Sequence, residues 1–187
     1  MTNSQLPSGA LLLQREAEAR RHGSGMGAAT LEGEWVLERL WSRRGVEQPG
    51  TAVLLRSLRA SLTIQRQRQL EAGSGLLLRN SVDLGPLSLQ FTGPGWLTGT
   101  RPLLRFRFER LALCWGEREL WHSALPAPTQ RAMPFFALIA CERSTTPAQE
   151  PDADPALEQA GDQGWLAARG RGGGLAAWRL RPSADRG

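Results

Sequence analysis

Lysine and tyrosine are both absent from the 187 residues, so all 23 basic side chains are arginines. Codons for Lys and Tyr are AT-rich and those for Arg, Gly and Ala are GC-rich, so this bias carries the stamp of a GC-rich coding sequence. The net charge of +5 is therefore weak support for a nucleic-acid partner. The arginines are also spread along nearly the whole chain, as a plain solvated surface requires. Cysteine is scarce as well. Cys114 and Cys141 each sit in an apolar stretch without a neighbour at metal-ligand spacing, which reads as two buried free thiols and excludes a disulfide scaffold. Histidine is limited to His22 and His122, too few ligands at sensible spacing for zinc. No apolar run reaches the roughly 18 to 20 residues that span a bilayer, and the amino terminus has no basic stretch followed by a long apolar one. The expectation is a protein that is cytoplasmic or peripheral to a membrane, with neither signal peptide nor transmembrane helix.

What is present is alternation. Residues 10–21 form a short amphipathic helical pattern halted by Gly23, Gly25 and Gly27, and such a helix could cap a barrel. From Leu31 the period changes to two, with Trp35, Leu37 and Arg39 on one side and Glu34, Val36 and Glu38 on the other. Residues 52–62 suit a helical turn. Residues 61–70 alternate around Leu62 and Ile64, and Gly73-Ser74-Gly75 then turns the chain into a hairpin with 76–84. Leu87, Leu89 and Phe91 alternate with Ser88 and Gln90. Leu104, Phe106 and Phe108 do the same with Arg105, Arg107 and Glu109, which sends three large apolar groups to one face and three charges to the other. The parity slips at Glu109-Arg110, where a bulge or change of direction is expected before Leu111, Leu113 and Trp115. Residues 119–125 and 135–141 read as two more strands. Residues 165–168 and 175–180 read as a final hairpin with Ala176, Trp178 and Leu180 on one face. Between them, 144–163 is polar and proline-bearing, an inserted flexible loop. Short strands at these spacings indicate a mainly β fold, an antiparallel sandwich or barrel. The organisation expected is a helix and flexible linker over 1–30, a β domain over 31–181 and a disordered tail over 182–187.

Two motifs carry more than topology. Leu31, Gly33, Trp35 and Leu37 make Leu-x-Gly-x-Trp-x-Leu at the first strand, where the Trp can plug one end of a barrel. Arg169, Gly170, Gly173 and Leu175 make Arg-Gly-x-x-Gly-x-Leu in the last hairpin. Together with Asn80 and Val82 in a middle strand, these ends resemble the plastid-lipid-associated protein family, also called fibrillins, over about 31–180. The resemblance implies a lipocalin-like barrel or half-barrel, an origin in chloroplasts or cyanobacteria, and association with lipid and photosynthetic (thylakoid) membranes. Where that family carries an acidic, tyrosine-bearing stretch, this chain has Gly164-Trp165-Leu166-Ala167-Ala168, so no role tied to a carboxylate carries over there.

The glycine run 170–174 fits neither a Walker loop, which needs Gly-Lys-Ser/Thr opening a helix, nor an RGG tract, which needs repetition; a hairpin turn using glycine at positive φ fits better. Cys114 with His122 lacks an orienting third group and an oxyanion element, and so falls short of a nucleophilic site. Three functions from different classes follow. The first is non-catalytic binding of a lipid, quinone or carotenoid-like molecule against Trp35, Phe91, Leu104, Phe106, Phe108 and Trp178, with peripheral membrane contact, no resident cofactor, no metal and no nucleic acid. The second is a lipocalin-fold bilin lyase acting on phycobiliproteins, which needs an acidic or basic residue near the barrel mouth. The third is an assembly module that pairs through an exposed edge strand.

Overall fold

The chain forms α1 (Gly9–His22), α2 (Ala28–Leu31) and ten strands, β1 (Gly33–Trp41), β2 (Ser61–Gln67), β3 (Gly75–Leu84), β4 (Leu87–Thr98), β5 (Leu103–Phe106), β6 (Arg110–Trp115), β7 (Arg118–Ala124), β8 (Phe135–Glu142), β9 (Trp165–Gly170) and β10 (Leu175–Leu180). The computed structural model describes residues 6–51, 53, 59–67, 75–129, 131–143 and 164–181. The expected insertion at 144–163, the tail at 182–187 and most of the expected helical turn at 52–62 lie outside the described residues. At the end of that last segment the chain is already extended, since β2 begins at Ser61.

Eight strands close on themselves in the order β1-β2-β3-β4-β5-β8-β9-β10, every pair antiparallel, with β10 returning to β1. This is the expected lipocalin-like barrel, fully closed rather than half-formed. Alternation decides the inside: Trp35 and Leu37 from β1, Leu62 and Ile64 from β2, Leu76 and Leu78 from β3, and Leu138 from β8 join one buried cluster. Leu104 and Phe106 point inward too, while Arg105 and Arg107 are exposed, as their alternation requires. In β1 the register shifts between Leu37 and Arg39, so Leu40 rather than Arg39 resumes the inward row; Arg39 lies outside near Glu47.

One end of the barrel is closed by side chains. Trp35 is fully buried against Leu31, and its indole Nε1 donates to the Leu31 carbonyl at 2.7 Å. The helix expected as a cap is elsewhere. Leu12 of α1 instead packs outside the wall, with Ile139, Trp165, Ala167, Leu175 and Ala177 from β8, β9 and β10. Those strands put apolar residues on both faces at these positions, which gives the helix its second layer. Ser8 caps its start by accepting from the Leu11 amide, and Gly23, at φ 80°, ends it.

β4 is longer than the alternation at 87–91 announces, because it continues through Gly93-Pro94-Gly95. One edge pairs with β3 from Leu87 to Gly95; its other edge is shared, with β6 opposite Leu87 to Thr92 and β5 opposite Gly95 to Thr98. Between β5 and β6 the ladder breaks at 107–109, close to the expected slip. A Cβ on Gly93 would stand 2.0 Å from the Arg107 carbonyl oxygen, so the crossing backbones touch there. Beyond the break, β6 and β7 extend the β3–β4 hairpin sideways as a flap outside the barrel.

Candidate ligand-binding site

Opposite the Trp35 floor the barrel opens into a cavity of about 360 Å³. Its wall is built by inward residues near the strand ends: Leu37 and Leu40 of β1, Asn80 and Val82 of β3, Phe136 of β8, and Ala176 and Trp178 of β10. Trp41 and Leu175, which face outward, also line it, so the space spills over the rim. The volume falls in the range of small-molecule sites, and apolar walls with a few polar groups are the usual lining of one. Here the polar side chains are those of Gln48, Ser61 and Asn80.

The predicted wall residues take different places. Trp178 lines the cavity; Trp35 belongs to the floor. Leu104 is fully buried in the interior. Phe91, Phe108, Phe106, Phe136 and Trp178 form a continuous aromatic chain, with centroids 5.6, 5.2, 5.2 and 5.4 Å apart in that order. Only its last two members reach the cavity lining. Phe136 is not one of the six residues predicted as the wall, because it follows a second phenylalanine and the pair alone does not say which ring points in. Asn80 and Val82 stand on one side of the mouth, and Gly170 and Leu175 of the last-hairpin motif, with Gly174 between them, on the other. That hairpin turns as expected, with Gly173 at φ 87°.

Outside the same rim lies a second, larger cleft of about 700 Å³ between α1, the β4–β5 turn and the β9–β10 turn. Its centre is Glu16, only 3 % exposed. Arg169 binds this carboxylate through Nε at 2.7 Å and through Nη2, Arg101 at 2.7 Å and Arg20 at 2.9 Å. Burial by itself would raise the Glu16 pKa; the guanidinium groups of Arg169 and Arg20 outweigh it and hold the carboxyl down at about 2. Sequence reasoning had no access to this cluster, since its members come from three elements as much as 153 residues apart.

Against protein-family models, curated proteins and solved structures, the chain finds no match.

Other chemistry is thinly supplied. No group of three or more His, Cys, Asp or Glu side chains among the described residues is placed to hold a metal ion. Both cysteines are free. Burial pushes the Cys141 thiol up to about 11, against the lowering effect of Arg143, and its sulfur lies 3.8 Å from the Thr30 carbonyl. His122 directs Nδ1 at Glu119, 2.6 Å away, and Cys114 is buried. Among the described residues the cavity lining carries no charged side chain. No described helix is long and apolar enough to cross a membrane.

Proposed function

We propose that this protein binds a hydrophobic small molecule, lipid or pigment-like, in the open end of its barrel and performs no chemical step on it. The observation that carries this reading is the cavity over Trp178 and Phe136, whose rings meet edge to face at 5.4 Å beside the aliphatic Leu37, Leu40 and Val82. Asn80 supplies an amide that can orient one polar atom of a mainly apolar guest. The resemblance of the two chain ends to fibrillins supports the same class of cargo, with lipid, quinone or carotenoid as its members and a photosynthetic membrane surface as its setting. Ala176 tests the reading, because it lines the cavity and its methyl leaves the space open. In Ala176→Phe the ring occupies that space, so lipid or pigment recovered from native extract by mass spectrometry should disappear while folding persists. Full cargo retention by Ala176→Phe would remove the mouth as the site.

A second reading, assembly through an edge strand, is favoured by the flap. Among the described residues β7 has a strand on one side only, and Leu84, Trp115, Leu120 and Trp121 around it are each more than half exposed. Sedimentation of the parent against Trp121→Glu over rising concentration tests it, and identical profiles of monomer would remove it.

A further inference from the structure

The two cavities share a wall one backbone thick. Gly170 lines both; on β8, Phe136 faces the mouth and its neighbour Phe135 faces the cleft; at the end of β1, Trp41 borders the mouth and Arg43, two residues on, borders the cleft. A molecule whose apolar body sits in the mouth therefore needs only to cross the rim at the glycine turn to bring its polar end into the cleft.

The cleft has the charge for one kind of end. Five guanidinium groups line it against a single carboxylate, Glu16, which is already divided among Arg20, Arg101 and Arg169. Arg171 is taken by the Ala132 carbonyl at 2.6 Å and by that of Arg131. Arg43 is exposed and has no ion pair among the described residues; its chain lies over Gly173. The Nε of Arg101 is buried and finds no hydrogen-bond partner among the described residues. A buried guanidinium N–H with no acceptor is costly, and an anion in the cleft would relieve it. Arg20, Arg43 and Arg101 reach the cleft from three separate elements, α1, the turn after β1 and the β4–β5 turn. Several guanidinium donors in excess over one carboxylate suit a phosphate dianion, which brings two charges and three acceptor oxygens, better than a singly charged carboxylate.

We infer that the ligand is an anionic amphiphile, a long-chain phosphate monoester whose chain enters the barrel mouth and whose phosphate is bound outside the rim by Arg43 and Arg101. The inference rests on the proposed occupancy of the mouth and adds the chemistry of the head. Tryptophan fluorescence titrations at low salt with oleoyl lysophosphatidate, oleyl alcohol and inorganic phosphate test it. Lysophosphatidate should bind at least about tenfold more tightly than the alcohol, the worth of one charge-assisted contact. Arg43→Gln, which touches no Glu16 contact, should bring it close to the level of the alcohol, and Arg101→Gln should do likewise if folded. Binding of the alcohol itself should be unchanged by either variant.

Equal affinities for alcohol and lysophosphatidate would overturn the phosphate site and leave the mouth reading standing. Inorganic phosphate binding as tightly as lysophosphatidate would overturn the amphiphile in favour of a soluble phosphate ligand. A phosphate preference that survives Arg43→Gln would place the charge site elsewhere and overturn the assignment. Failure of both chain-bearing probes would overturn the mouth reading together with this one.

Discussion

Glu16→Gln removes one charge from a place where the fold depends on it. The carboxylate is almost wholly buried between α1 and the barrel and neutralises guanidinium groups brought there by α1, the β4–β5 turn and β9. Its pKa is lowered from 4.5 to about 2, and because the group is buried, solvent screening takes little from that shift. At about 1.36 kcal/mol per pKa unit, the charged form contributes about 3 kcal/mol to folding at pH 7. Breaking a buried pair by removing one partner costs a similar ~3 to 5 kcal/mol. The sign gives a second signature. A carboxyl with a depressed folded-state pKa stabilises fully above the unfolded value and loses that contribution as pH falls toward 2. The parent should therefore lose stability on acidification while the glutamine variant does not titrate there, and the gap should shrink to roughly 1.4 kcal/mol at pH 3. Urea denaturation at pH 7, 5, 4 and 3 measures both numbers. A gap below about 1 kcal/mol at pH 7, or one that stays constant down to pH 3, would refute the reasoning.

Trp35→Ala should lower stability by about 3 to 5 kcal/mol, seen as a large drop in melting temperature, because a fully buried indole and its bond to the Leu31 carbonyl are both lost. Gly93→Ala should cost ~2 kcal/mol or more, since its methyl would meet the Arg107 carbonyl; an unchanged urea midpoint would show that the break between β5 and β6 relaxes freely. Cys141, with its pKa near 11, holds only about a thousandth of its thiol as thiolate at pH 8, so peptide mapping should find it unmodified by iodoacetamide until the chain is unfolded.

The strands were legible because their faces differ. Leu104 and Phe106 against Arg105, or Leu76 and Leu78 on one row of β3, settle inside from outside by period two alone. The Arg39 expectation failed for a local reason, since a bulge leaves no mark in residue type when Leu37 and Leu40 are both leucines. β4 was read short because Gly93-Pro94-Gly95 has the composition of a turn, and only the partner strands show that it is extended. The helix carried apolar residues over 10–21 but no sign of which surface it would cover; that surface is the outer row of β9 and β10, whose Ala167 and Ala177 are small enough to admit it. Within the candidate site, Trp178 was readable as an inward aromatic, whereas the Glu16 cluster depends on side chains that only the closed barrel brings together.

Closure by β10 against β1 also sets a schedule. A ribosome makes the chain from the amino end, so β1, β2 and β3 emerge early and can pair, but β1 has no second neighbour until residue 180 has left the exit tunnel. For most of synthesis the growing sheet carries a raw edge next to Trp35 and Leu37, the kind of surface that recruits stray strands. A nascent chain stalled before the last hairpin should cling to holdase chaperones, and one released a few residues after Leu180 should let go.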